Sequence, residues 1–251
     1  MFRKPLLISS FAAFVGIFLL GCQGHTKLKG NEQASIKANL EGQALWLHQS
    51  LFAGQFYDDD RYQLVHPRRF DNLTYLKNAE GEIISPPPAQ SVIPTGTRVR
   101  VEKIEFPTQN NIIKRPLFTP RYTPWIYLRV AKARGDTLME RDHIHILLPP
   151  GGLTSQKAFE MWFTSILNSE DPNPWLNKLG SAFREAIFTK RPAMGMDHRA
   201  LTAAMGMPDR LLQKPSQKVG GTSTDVAIYG AMSIVLENGR VVKISDPTGQ
   251  R

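Results

Sequence analysis

Asp225-Val226-Ala227-Ile228-Tyr229-Gly230-Ala231-Met232-Ser233-Ile234-Val235-Leu236-Glu237-Asn238-Gly239-Arg240-Val241-Val242-Lys243-Ile244 decides the fold of the C-terminal part of the chain. Residues 225–230 and 231–236 read as strands. Glu237-Asn238-Gly239-Arg240 is a tight hairpin with an Asn-Gly turn, and Val241-Val242-Lys243-Ile244 is the returning strand. Upstream, Met194-Gly195-Met196-Asp197 leads into a short helix, His198–Met205, with Asp197 as its cap. Gly206-Met207-Pro208-Asp209 ends that helix with a C-terminal glycine and a proline just beyond. Residues 213–224 are polar and glycine-rich and read as a loop.

The order Gly-Met, helix, Gly-x-Pro, strand ending in Tyr, strand, Asn-Gly-Arg-Val, strand resembles the SmpA/OmlA family, the BamE-like small lipoproteins of the outer-membrane β-barrel assembly machinery. The matching positions are Gly195, Met196, Leu201, Gly206, Pro208, Tyr229, Gly239 and Val241. The resemblance implies a helix packed on a three-stranded antiparallel sheet over residues 191–246, followed by a tail at 247–251. These are turn and core residues, so the signature speaks for a fold rather than an activity.

The other end of the chain speaks about location. Arg3 and Lys4 precede an apolar run, residues 6–20, broken only by Ser9, Ser10 and Gly16. As a helix that run spans about 22 Å, short of a hydrocarbon core of about 30 Å. It therefore reads as a secretory signal, residues 1–21, rather than a membrane span. Leu19-Leu20-Gly21-Cys22 resembles the lipobox of bacterial lipoproteins, which implies that Cys22 is acylated and becomes the first mature residue. Gln23, where enterobacterial lipoproteins retained in the inner membrane carry aspartate, implies an outer-membrane anchor on the periplasmic face, with the inner membrane as the alternative. Residues 22–32 are mostly polar and small and read as a tether.

Cys22 is the only cysteine in 251 residues, so the mature chain has no internal disulfide and relies on packing. Hydrophobic residues make up 41%, which is enough for a core and argues against wholesale disorder. The 31 Lys and Arg exceed the 22 Asp and Glu by nine, an excess of seven once Arg3 and Lys4 are removed. The basic residues are dispersed, which suits a solvated basic surface or an anionic lipid or acidic partner. An exported chain is not expected to bind nucleic acid.

Between these ends the chain reads as α+β. Ile36, Leu40, Ala44, Leu47 and Leu51 recur at helical spacing, with Gly54 as the stop. Residues 61–148 read as β, completing a helix plus β-rich module over 33–150. Asn78-Ala79-Glu80-Gly81 is a hairpin signal. Val99 and Val101 alternate with Arg98, Arg100 and Glu102, a half-buried strand. The proline-glycine turn at residues 94–96 feeding this basic strand resembles bacterial SH3-like barrels, so a small barrel is expected. Pro149-Pro150-Gly151-Gly152 marks the module's end. Two linking helices over 151–190 follow. One covers 156–167, capped by Thr154 or Ser155, and the other runs from Asn173-Pro174 through Phe188.

No Gly-x-Ser-x-Gly nucleophile motif is present, no cofactor pattern appears, and no free thiol is left. The chain is expected to work without a cofactor and not as an enzyme. His143 and His145 share one face of a strand, which would give a metal two ligands, against the simpler reading of a solvated face. Asp58-Asp59-Asp60 lacks the spacing of a calcium loop, and His66 and His198 read as surface or capping residues. The proline-stiffened stretch from Lys114 to Trp125 carries Arg115, Arg121, Tyr122 and Trp125, the residue types that dominate interfaces. It is either an interaction loop or a rigid wrap over a barrel. Three functions follow: an envelope binding or scaffold protein in outer-membrane assembly, a peptidoglycan- or polysaccharide-binding lipoprotein, and a metal-dependent envelope hydrolase through His143 and His145.

Overall fold

Gly42, at a φ of 80°, turns the chain out of its first helix well before the position expected. The structure is a computed structural model that describes residues 27–131, 144–214 and 223–247. Helix α1 (Gly30–Leu40) gives way to strands β1 (Ala44–Leu47) and β2 (Leu51–Phe56). The long helical stripe is thus divided. Ile36 enters the core from the helix, while Leu47 and Leu51 enter it from strands. Leu45 and Leu47, two apart and both buried, carry the strand period that the four-residue spacing masked. Gly54, expected as a helix stop, lies inside β2, where a Cβ would come within 3.1 Å of the Phe70 ring and the Pro88 carbonyl oxygen. Helix α1 starts within the stretch read as tether, and Leu28 is already buried.

Strands β3 (Asp59–His66), β4 (Ser91–Ile93), β5 (Arg98–Glu105), β6 (Trp125–Val130), β7 (Ile144–Leu147) and β8 (Leu167–Asn168) join the first two in an eight-stranded sheet. Helix α2 (Gln109–Lys114) connects β5 to β6. The strand order is β4-β2-β3-β7-β6-β5-β1-β8. Among the described strands only β3 and β7 pair in parallel, with Leu64 opposite Ile146. The order has two ends, β4 and β8, and no described pairing joins them, so a larger mixed sheet stands in place of the small barrel expected. The hairpin at Asn78 amounts to one bridge, between Lys77 and Ile83, beside a 3₁₀ turn at Phe70–Asn72.

Alternation along the central strands divides the core in two. Val65, Ile126, Leu128 and Leu147 face helices α1 and α3 (Gln156–Ile166), meeting Ile36, Phe159 and Phe163. Leu64, Ile146, Trp125 and Phe56 face the other way, against Phe70, Leu73 and Leu76. A sheet covered on both faces needs apolar pairs such as Leu64-Val65 and Ile146-Leu147 rather than clean alternation. Ser155 caps α3, its hydroxyl accepting from the Ala158 amide at 3.2 Å.

The second helix expected after Pro149-Gly152 is interrupted. Helix α4 (Asn173–Leu176) stops, and α5 (Ser181–Phe188) restarts after Gly180. These helices divide between two cores: α3 packs in the first, while Leu176 and Ile187 pack in another. That third core lies between α5, helix α6 (His198–Met205) and a second sheet. Its strands are β9 (Arg210–Lys214), β10 (Thr224–Tyr229), β11 (Met232–Glu237) and β12 (Arg240–Ser245), in the order β12-β11-β10-β9. Three of these were expected. The fourth, β9, overlaps the start of the stretch read as loop and pairs with β10, Leu212 opposite Val226. The coarse α+β architecture is as read.

Candidate functional site

The residues carrying the family resemblance converge in the C-terminal module. Gly195, at φ 83°, donates its amide to the Val241 carbonyl at 2.8 Å, and the Val241 amide returns to the Met196 carbonyl at 2.8 Å. Met196, Leu201 and Val241 are buried. Asp197 caps α6 by accepting from the Ala200 amide at 2.8 Å. Tyr229 donates its hydroxyl to the Gly206 carbonyl at 3.1 Å, tying the helix end to β10. Pro208, half-buried, follows Gly206, and Asn238-Gly239, both at positive φ, form the hairpin turn. These eight positions hold a fold together, and none presents a reactive group. On the face of the sheet opposite buried Ala227, Leu212, Val226 and Val235 lie in register across three strands, with Leu212 exposed.

Of the two readings of the loop between Lys114 and Trp125, its construction matches the rigid wrap, with Trp125 buried. Arg115 is 4% exposed and Trp125 2% exposed. The Arg115 guanidinium donates to Glu105 Oε1 and to the Glu105 carbonyl, each at 3.0 Å. It also donates to the carbonyls of Arg121 at 2.6 Å and Thr123 at 2.7 Å, while lying 4.2 Å from the Trp125 ring centroid. Burial pushes this guanidinium below its ordinary value, and Glu105 beside it acts in the opposite direction. Trp125 Nε1 donates to the Pro120 carbonyl at 3.1 Å, and Arg121 donates to the Ile112 carbonyl. Arg115 and Trp125 are therefore framework, and Arg121 braces the loop. Tyr122 is half-buried and donates to the Ala79 carbonyl at 3.2 Å. What this frame holds outward was not singled out from sequence: Ile113, Leu117 and Phe118, at 69%, 57% and 67% exposed. The legible signal was an apolar Leu-Phe pair in a stretch from residue 106 to 131 with no Asp or Glu.

His145 is buried on β7 rather than on a solvated face, and His143, with Glu140 and Asp142, lies outside the described residues. Among the described residues no group of three or more His, Cys, Asp or Glu is arranged to hold a metal ion. His66, expected as a surface or capping residue, is 2% exposed. Its Nδ1 accepts from the Arg68 amide at 2.9 Å, its Nε2 lies 3.1 Å from the Tyr75 hydroxyl, and burial pushes its pKa down to about 3. His198 is exposed and bonds Asp225 at 3.0 Å. Asp59 is locked to Arg61 by two hydrogen bonds, which hold its carboxyl below the usual carboxylate range. Cys22 lies outside the described residues.

Lys190 escaped sequence reading altogether. Helix α5 ends in paired bonds from the Lys190 amide to the Ile187 carbonyl and from the Arg191 amide to the Ala186 carbonyl, at 3.2 and 2.8 Å. This termination places its first residue beyond the cap at positive φ, usually a glycine. Here Lys190 takes it, at φ 54°. Its buried Nζ donates to the Ser50 carbonyl at 2.6 Å and the Ala204 carbonyl at 2.8 Å, and lies 5.0 Å from the Phe52 ring centroid. Burial pushes its pKa down to about 7. The Ser50 hydroxyl donates to the Ile187 carbonyl at 2.7 Å, and the Thr95 hydroxyl to the Ala203 carbonyl at 3.1 Å. Carbonyls at the ends of α5 and α6, Ile187 and Ala203, thus accept from hydroxyls of the first module, and Ala204 accepts from Lys190, a cation at the end of the helix where it suits the dipole. Beside this seam lies a cleft of about 280 Å³, bordered by Phe52, Arg68, Arg191, Met205 and Tyr229. Arg68 bridges the two modules through Asp209 at 2.5 Å.

Comparison with known protein families, with curated proteins and with solved structures finds no match to this chain.

Proposed function

We propose that this chain is a lipid-anchored protein of the bacterial envelope, held by acylated Cys22 at the periplasmic face of the outer membrane, where it binds or scaffolds other envelope proteins. The observation that carries the reading is Leu19-Leu20-Gly21-Cys22 at the end of a positively started apolar run. The chain's first buried side chain described, Leu28, follows closely, so the anchor would hold a folded body next to the bilayer. The C-terminal module is read as BamE-like, supported by the Gly195, Met196 and Val241 backbone pairing and the Tyr229 to Gly206 bond. A fourth strand and the large module before it distinguish this chain from the plain family pattern. The apolar stripe of Leu212, Val226 and Val235 suits a protein contact in outer-membrane assembly.

Metabolic labelling with an alkyne fatty acid tests the anchor: the label is expected on the wild-type chain and absent from Cys22→Ser. A wild-type chain that takes no label overturns it. Co-purification from crosslinked envelopes tests the role. Assembly components are expected with the wild-type chain and lost with Leu212→Glu, whereas recovery of peptidoglycan fragments alone would assign the cell-wall reading instead.

A further inference from the structure

We infer that the tip of the loop after α2, formed by Ile113, Leu117 and Phe118, docks into the phospholipid surface that carries the lipid anchor. The inference rests on the anchor reading above and adds a second point of contact. Its first support is the cost of the loop's construction. A buried arginine with four hydrogen bonds, a tryptophan indole bond and a second arginine brace a segment whose outermost side chains are apolar. Thr119 is buried beneath them, and its hydroxyl donates to the Pro116 carbonyl at 2.7 Å, closing the tip. A braced loop has little backbone freedom left to lose when its exposed Leu and Phe insert, which favours association.

The position of the anchor is the second support. Cys22 is five residues from Lys27, a reach of at most about 18 Å even fully extended. Lys27 lines a cleft of about 570 Å³ together with Tyr122, Thr123 and Pro124, the downstream limb of the same loop. Phe118 is four residues from Tyr122. The described chain nearest the anchor and the downstream limb of the loop thus line one cleft, which favours a bilayer on the side of the tip.

Charge supplies the third support. Lys114, beside Ile113, is exposed, as are Lys27 and Lys77 around the cleft, with Glu80 the acidic residue on its rim. The loop itself, residues 106–124, contains no acid. Apolar side chains that reach about 5–10 Å into the headgroup boundary, flanked by lysines, form the usual interfacial arrangement on anionic lipid.

Mature acylated protein has no free thiol, so Phe118→Cys provides a unique labelling site, and its 67% exposure predicts an intact fold. Lys243→Cys, exposed on β12, is the control. Each is labelled with nitrobenzoxadiazole and reconstituted into vesicles of phosphatidylethanolamine and phosphatidylglycerol. At position 118 the emission is expected to shift to the blue and to be quenched about two-fold or more by lipids spin-labelled near the headgroup, with no change at 243. An acyl mass on Cys22 with position 118 as aqueous as 243 overturns the docking alone. Absence of the acyl mass overturns the anchor and the docking with it. A label shielded from water yet insensitive to spin-labelled lipid assigns the tip to a protein contact and overturns the lipid one.

Discussion

Arg115 and Lys190 are both buried cations, and they behave as opposites. Arg115 faces a carboxylate, so removing it takes from Glu105 its buried partner, leaving the Lys103 pair, and frees three backbone carbonyls. Arg115→Ala is expected to destabilise the fold by about 3–5 kcal/mol in urea unfolding, and Arg115→Lys to recover little, since one ammonium cannot reproduce the planar fork. Lys190 donates only to carbonyls. As a neutral amine it keeps two N–H donors for Ser50 and Ala204, so losing the proton does not break the contacts. The unfolded chain holds that proton up to about 10.5, the folded chain only to about 7. Between those values the unfolded state binds more protons, so stability rises with pH and levels off above them. Comparing urea midpoints at pH 7 and 9.5, the advantage of wild type over Lys190→Met is expected to widen at the higher pH. A constant gap would remove the charge from the account.

Among the elements, local chemistry was legible where it acts locally. Asp197 at the start of α6, Asn238-Gly239 between β11 and β12, and Ser155 before α3 are each fixed by neighbours a few residues away. Gly206 was legible as a helix stop, but its second role was not: a Cβ there would sit 2.9 Å from Gln49 Oε1, on a backbone at φ 84°. Gly206→Ala is accordingly expected to cost about 1–3 kcal/mol, measured by thermal or urea unfolding. Gly180 gives the contrary case. It caps α5 without a side-chain bond, at φ −58°, with nothing within 4 Å of a built Cβ. Gly180→Ser is expected to stabilise by about 0.5–1 kcal/mol, from a new cap and a stiffer unfolded chain. The errors of reading came where packing overrides spacing. Leu47 and Leu51 fit a helix until β5 and β4 pair with the strands that carry them. In the 114–125 loop the sequence left the interaction loop and the rigid wrap open, and only packing shows Arg115 and Trp125 inward with Leu117 and Phe118 out.

For the whole molecule, the two modules share one polar seam, invisible in sequence because Ser50, Thr95 and Lys190 are distant in the chain and each is ordinary alone. The α+β class was legible; the eight-stranded order was not, since no local pattern announces a parallel pair. The seam predicts a single cooperative transition: tryptophan fluorescence and far-UV circular dichroism are expected to give coincident urea curves, and two separated transitions would show the modules melting apart. The strand order also has a temporal side. Strand β1, near the beginning of the folded body, is flanked by β5 and by β8 at residues 167–168, and β3 waits for β7. A chain released from its N-terminus onward cannot complete its first sheet until more than half of it has emerged, and α3 must arrive to cover the face holding Phe159 and Phe163. Contacts of such long separation form slowly and leave apolar strand edges open in the meantime. An interruption of synthesis before Leu167 is therefore expected to yield an aggregating fragment rather than a folded half, as sedimentation of the truncated chain would show.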